Sequence, residues 1–162
     1  MKKFFLTLAV LFVAVSASAQ GWGVGGRVGS GLQAVGEYKF DSGNYIEARF
    51  GMSWLCDLDV ITADFTALYQ WNVCTMDWTP SAGEWSFDAG VGVNVGGREH
   101  YAYCGVAGGA KLGFQLHSIP LKFAVDWTPS FGPEILYFGN DRGADFNVMG
   151  IANFGVSCVY YF

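Results

Sequence analysis

Long stretches of this chain alternate apolar and polar side chains, and this pattern limits the fold more than any other feature. In LKFAVDWTPSF (121–131), Leu121 and Phe123 share one face while Lys122 lies on the other, and ITADFTALYQWNV (61–73) alternates in the same way. Side chains alternate between the two faces of a β-strand, so the pattern predicts strands with one apolar face. Helical periodicity fits none of these stretches.

Turn-forming residues divide the chain into eight such segments. We predict strands at 22–29, 32–40, 45–54, 60–73, 84–95, 102–116, 121–131 and 148–162. The segments CTMDWTPSAG (74–83) and GPEILYFGNDRGADFN (132–147) are predicted to be loops between them. Because eight is even, both chain ends should lie at the same end of a barrel built from these strands.

The first twenty residues, MKKFFLTLAVLFVAVSASAQ, have the organisation of a secretory signal peptide. Two lysines precede an apolar run (4–15) that is too short to span a bilayer, and Ala-Ser-Ala forms the cleavage site. We therefore predict a signal peptide at 1–19 and one domain at 20–162. Without Lys2 and Lys3, the nine basic residues become seven against 14 acidic ones, which argues against nucleic acid as a partner.

The composition is unusual for a secreted soluble domain. Charged residues make up 14% of the chain, below the roughly 25–35% typical of a soluble surface, while 52% of residues are hydrophobic and 23 are glycine. No other segment approaches the ~18 apolar residues of a transmembrane helix. A closed β-barrel is the strand structure that leaves no backbone group unpaired in lipid. The predicted fold is therefore all-β, an eight-stranded antiparallel up-and-down transmembrane β-barrel in a bacterial outer membrane, reached through the periplasm.

The charged residues indicate which face of each strand lies inside. Leaving aside Glu84 at the first position of its strand, ten ionisable side chains fall in the predicted strands, all on the polar face, and five are basic and five acidic. They are Arg27, Glu37, Lys39, Glu47, Arg49, Asp64, Asp88, Lys111, Lys122 and Asp126. A narrow interior of low dielectric requires such balance because a buried, unpaired charge is costly. Glycines on the same face leave room for these long side chains.

The opposite face of the predicted strands is apolar, and aromatic residues gather near its two ends, a pattern typical of the girdles of outer-membrane barrels. The tryptophans of these girdles are Trp22, Trp54, Trp71, Trp85 and Trp127. A soluble, lipocalin-like barrel with an apolar interior is the less favoured alternative.

The last strand, FGVSCVYYF, is apolar at every second position up to the terminal residue: Val156, Cys158, Tyr160 and Phe162. It resembles the β-signal of outer-membrane barrels. SGLQAVGEYKF, NYIEARFG and IPLKFAVDWTPSF add to a similarity between residues 20–162 and the small outer membrane β-barrel domain family, OmpA/OmpX-like. The resemblance implies eight strands, outer-membrane lipid and lipopolysaccharide as surroundings, and a barrel-assembly machinery that reads the last strand during insertion.

No residue pattern predicts catalysis, a cofactor or a metal centre. GWGVGG (21–26) matches a dinucleotide fingerprint in letters only, because no helix follows it. His100 lies beside Glu99 without a nearby external serine, so we interpret it as a loop histidine. Carboxylates of the external loops could bind divalent cations that bridge lipopolysaccharide. These loop carboxylates are Asp57, Asp59, Glu99, Glu134, Asp141 and Asp145.

The four cysteines, Cys56, Cys74, Cys104 and Cys158, show no CxxC spacing. We interpret them as free thiols, with a Cys56–Cys104 disulfide as an alternative.

Eight strands enclose just enough space for side chains to fill. The leading prediction is therefore a non-enzymatic, integral outer-membrane protein with a plugged lumen and a structural or surface-interaction role through its external loops. Two alternatives are a narrow, porin-like passage for small solutes and a lipid A- or phospholipid-modifying enzyme at the barrel rim. The sequence identifies no external ligand.

Overall fold

The computed structural model describes residues 21–53, 62–79, 81–98, 100–138, 141–147 and 150–162, and side chains within these ranges except at 53, 98 and 136–147. The described residues form strands and turns, with no helix long and apolar enough to cross a membrane. The strands are β1 (Trp22–Gly29), β2 (Gly31–Lys39), β3 (Tyr45–Ser53), β4 (Thr62–Thr79), β5 (Gly83–Arg98), β6 (Tyr101–Leu116), β7 (Leu121–Trp127), β8 (Ser130–Phe138), β9 (Asp141–Asn147) and β10 (Phe154–Tyr161).

Eight of these strands close into an antiparallel barrel. β1 to β7 pair in chain order, β10 pairs with β7, and β1 pairs with β10, which closes the ring. The predicted fold, all-β with eight antiparallel barrel strands, is confirmed. Gly21 and Phe162 lie at the same end, which we call the terminal end; the other is the distal end. At the closing seam, Gly23 lies opposite Tyr161 and Arg27 opposite Ser157.

The prediction of a loop at 132–147 is wrong. Residues 130–138 and 141–147 form the β8–β9 hairpin, which pairs with the distal part of β6. β7 follows β6 only as far as the pair Trp127–Ala110, so the hydrogen-bonding edge of β6 beyond this point is free for β8. The three glycines and the proline of this segment favour a loop in the sequence, but the free edge of β6 gives it a pairing partner.

The predicted loop at 74–83 is also mostly strand. β4 continues to Thr79 and β5 begins at Gly83, with bulges after Asn72 and Met76. The indole Nε1 of Trp85 donates to Oγ1 of Thr79 (3.0 Å), across the hairpin. The last predicted strand, in contrast, is too long: β10 begins at Phe154 rather than at 148.

Candidate functional site

The barrel has the reverse of a soluble protein's polarity. On the outside, Phe50 is 65% exposed and Val106 is 58% exposed, whereas on the inside Arg27 is 1% exposed and Glu47 is fully buried. Nine of the ten predicted interior charges are buried, and Lys39 is half-buried. The interior is therefore polar, and the alternative of a lipocalin-like barrel with an apolar interior does not describe this molecule.

At the distal end of the interior, one carboxylate lies between two arginines. Asp126 Oδ1 accepts from Nη2 of Arg27 (2.8 Å) and from Nη1 of Arg49 (3.2 Å). The remaining donors of Arg27 reach Gln33 Oε1 (3.2 Å) and Asn153 Oδ1 (3.0 Å). Because guanidinium groups are planar forks, this arrangement fixes five side chains from separate strands and turns.

The middle of the interior contains two glutamates and two cations. Glu47 accepts from both Arg49 and Lys111, and Lys111 Nζ also donates to Glu37 Oε1 (3.0 Å). Arg49 thus joins the middle layer to Asp126 of the distal layer, and it also donates to Thr128 Oγ1 (2.9 Å). A continuous network of ion pairs fills the cross-section here, as expected for a barrel of eight strands.

Nearer the terminal end, the interior contains one ion pair. Lys122 Nζ donates to Asp88 Oδ2 (2.8 Å), which also accepts from the hydroxyls of Tyr45 (2.9 Å) and Ser86 (3.4 Å). Asn72 Nδ2 donates to the other oxygen of Asp88 (3.0 Å). The carboxylate is therefore saturated with donors.

Two predicted interior charges have no ion pair with a described residue. Lys39 Nζ lies 3.6 Å from the ring centroid of Tyr161, a cation–π contact. Asp64 Oδ2 accepts from Gln33 Nε2 (2.6 Å), but its Oδ1 has no hydrogen-bond partner. The network is therefore not paired throughout its length.

Glycines make space for the long side chains. A Cβ at Gly155 would overlap the guanidinium of Arg27, and one at Gly113 would overlap the methylene end of Lys122. At both positions, a charged side chain from a neighbouring strand occupies the space that a larger residue would fill.

Aromatic rings surround the terminal end on the outside. Trp22 packs on Tyr38 (5.0 Å between ring centroids), Tyr69 on Trp71 (4.9 Å) and Trp85 on Phe114 (4.8 Å). Toward the distal end, Trp127 stacks on Phe154 (6.2 Å). The fifth predicted girdle residue, Trp54, lies outside the described residues.

The proposed assembly-signal residues all lie on the outer side of β10. Val156, Tyr160 and Phe162 are exposed there and Cys158 is partly exposed, while the intervening Val159 is buried. The strand thus presents an apolar face outward.

Three of the six predicted external carboxylates lie in strands rather than in loops. Glu134 is not in a loop: it lies in β8 and is only 9% exposed. Asp141 and Asp145 lie in β9, another correction of the predicted loop, whereas Asp57, Asp59 and Glu99 fall outside the described residues. Among the described side chains, no group of three or more His, Cys, Asp or Glu could hold a metal ion.

The reactive side chains of the sequence are dispersed. His100 is exposed in the short turn between β5 and β6, where its φ is 64°. Cys74, Cys104 and Cys158 are free thiols, and Cys56 lies outside the described residues. Because Cys104 is free, the alternative of a Cys56–Cys104 disulfide does not describe this structure.

Several members of the interior network were missed in the sequence. They are Gln33, Tyr45, Gln70, Thr128, Asn153 and Tyr161. Four of them lie on the inward parity of their strands, and Thr128 and Asn153 continue that parity one residue outside β7 and β10, so the same alternation could have found them. They are neutral donors and acceptors, which the balance of charges does not identify.

This interior can hold charge, and ion pairs fill its distal and middle parts. No protein-family model matches the chain, and neither a curated protein nor a solved structure matches it.

Proposed function

We propose that the protein is an integral outer-membrane β-barrel, of the OmpA/OmpX-like kind, with a plugged lumen and a structural or surface-interaction role. One observation carries the membrane location: the outside of the wall is apolar, while nine of the ten ionisable side chains predicted to lie inside are buried there. An aqueous surface would not favour this distribution, because exposed charges keep proteins soluble and buried charges are costly. A lipid surface requires it.

The outward positions of β10 illustrate the fit to a bilayer. From Phe154 to Phe162 the strand rises eight residues, about 20 Å along the membrane normal at ~3.3 Å per residue and ~40° tilt. Aromatic rings mark both ends of this distance, close to the ~25 Å apolar band of outer-membrane barrels.

The experiment that tests the location compares an arginine at two exposed positions. Val91 is 46% exposed on β5, six residues and about 15 Å from the girdle residue Trp85, near the middle of the proposed apolar band. Ile119 is 48% exposed in the turn between β6 and β7. In lipid vesicles, Val91→Arg should lower the free energy of unfolding by about 2–4 kcal/mol and Ile119→Arg by about 0–1 kcal/mol. Equal, negligible effects of both would reject the membrane location.

The proposed role rests on the β8–β9 hairpin. Its strands pair with the distal part of β6 beyond the end of β7, so the hairpin extends the sheet past the barrel on the side that would face the exterior. We propose that this hairpin contacts the environment or lipopolysaccharide. Deletion of residues 134–145 should leave the barrel folded and reduce adhesion or envelope integrity; unchanged adhesion and integrity would reject the role.

We further propose that the barrel does not conduct and that its last strand is read by the assembly machinery. Purified protein should leave planar bilayers electrically silent, because ion pairs fill the interior. Steady channels altered by Lys122→Ala would instead establish the transport alternative.

Removal of Phe162 should reduce insertion into the outer membrane while a substitution at exposed Ile119 does not. The enzyme alternative predicts a changed lipid mass spectrum that His100→Ala abolishes; we propose that no such change occurs.

A further inference from the structure

The terminal end of the interior contains a cavity of about 250 Å³, separate from the external surfaces to which the proposed function refers. At ~30 Å³ per water molecule, it has room for about eight waters. All of its lining residues except Gly43 carry a polar group on the side chain: Lys39, Gly43, Tyr45, Asn72, Thr75, Glu84, Ser86, Asp88, Gln115 and Lys122. Glu84 and Thr75 are exposed, so the cavity is accessible to solution from this end.

The deepest charge of the cavity is already neutralised. Asp88 is fully buried and accepts hydrogen bonds from Lys122, Tyr45, Ser86 and Asn72. An incoming group therefore finds no free carboxylate at the inner end, and Lys122 retains ammonium protons that Asp88 does not use.

Lys39 differs from the other interior cations. Arg27, Arg49, Lys111 and Lys122 each form an ion pair, whereas the ammonium of Lys39 has no hydrogen bond or ion pair with a described residue. Its Nζ instead lies over the ring of Tyr161, 3.6 Å from the centroid.

A second group on the wall of the cavity lacks a partner. Oε1 of Gln115 is buried without a hydrogen bond. The oxygen and nitrogen of a glutamine amide are exchanged by a half-turn, so this side chain can present an N–H donor to the cavity instead. The hydroxyl of Ser86 lies on the same lining.

We propose that this cavity binds a small oxyanion, held by the ammonium groups of Lys39 and Lys122 with Gln115 as a neutral donor. Two lysines that share a cavity repel each other, and an anion between them removes that repulsion and satisfies the free ammonium. Phosphate and carboxylate groups have this chemistry in common, whether they come from a headgroup, a metabolite or a peptide terminus. Glu84, at the exposed mouth, opposes the anion.

The experiment observes the lysines directly. The strands contain three lysines, 39, 111 and 122, while Lys2 and Lys3 lie in the predicted signal peptide. Protein labelled with ¹³C at lysine Cε is expressed from the full chain, extracted in detergent and titrated with inorganic phosphate, acetate or chloride at constant ionic strength. We expect saturable shifts of the Lys39 and Lys122 signals and a constant Lys111 signal, because Lys111 is enclosed by Glu37 and Glu47.

The arms distinguish the sources of the oxyanion. Saturation by phosphate alone indicates a phosphate ligand, saturation by acetate alone a carboxylate, and saturation by both a general oxyanion site. Chloride as effective as either, or no saturation of the Lys39 signal, would overturn the proposal. Neither result bears on the membrane location, which Val91→Arg tests.

Two variants with opposite expected effects on binding affinity provide the control. Lys39→Gln should weaken binding roughly tenfold, the size expected for loss of a hydrogen bond to a charged group. Glu84→Gln, the same kind of change at the same mouth, should strengthen binding. Damage to the fold would weaken binding in both variants, so the same sign in both would contradict the proposal.

Discussion

The two ends of the interior both have charged residues on the inward face, but these residues pack differently. At the distal end, Asp126 is shared by Arg27 and Arg49, and Arg27 also donates to Gln33 and Asn153. At the terminal end, Lys122 pairs with one carboxylate and a cavity remains beside it. A guanidinium presents five donors in a fixed plane and can join several partners, whereas an ammonium is a point charge on a flexible stem. The arginines therefore fill the distal end, whereas Lys39 and Lys122 leave a cavity at the terminal end.

The largest expected effect comes from removal of the shared carboxylate. Asp126→Asn leaves two buried guanidiniums without their common partner and should lower the free energy of unfolding by about 3–5 kcal/mol. The measurement is urea unfolding in lipid vesicles.

The matched control is Asp64→Asn. Asp64 is also buried, but it forms no ion pair with a described residue and one of its oxygens has no partner, so its replacement should cost far less. Equal losses for both variants would show that the distal end depends on burial alone and not on the shared pair.

A loss of stability of intermediate size should distinguish the distal end, which is rigid, from the terminal end, which contains the cavity. Gly155→Ala directs a methyl group into Arg27, which its partners hold in place, and should cost about 1–3 kcal/mol as overpacking. Gly113→Ala meets Lys122, whose flexible end can move into the cavity, and should cost less.

Gly36→Ala is the reference for these two variants, because a Cβ at Gly36 would meet nothing within 4 Å. Thermal unfolding of the three variants in the same detergent gives the order. A larger loss for Gly113→Ala than for Gly155→Ala would show that the terminal end is the more rigid.

The smallest effect is expected for Lys39→Met. This change removes one cation–π contact and no ion pair, so unfolding free energy should fall by at most about 1 kcal/mol. Lys111→Met removes the ion pair of Glu37 and one of the two ion pairs of Glu47, and should cost several times more in the same urea titration. Comparable losses would contradict the view that Lys39 lies outside the paired network.

Sequence periodicity predicted the barrel strands because the barrel wall separates an apolar outside from a polar inside. Each strand therefore alternates apolar and polar residues along its length. The inward positions of Arg27, Asp126 and Lys111 followed from parity alone. The strand β1 was predicted with its observed bounds, 22–29. The errors fell where Pro, Gly and bulges break parity: at the ends of β4 and β5, in 74–83, and in the β8–β9 hairpin, which was predicted as a loop at 132–147.

By itself, the sequence determined the closed antiparallel barrel and the sorting of charges to its interior, since both follow from local alternation and the number of apolar segments. Which charges pair was decided only by the tertiary structure. Arg27 and Asp126 are 99 residues apart and meet because the barrel closes between β1 and β10 and β10 pairs with β7. The β8–β9 hairpin and the cavity beside Lys122 were likewise decided by the tertiary structure. They depend on which strand edges and side chains the closed barrel leaves without partners, and those are set by register, shear and side-chain length together.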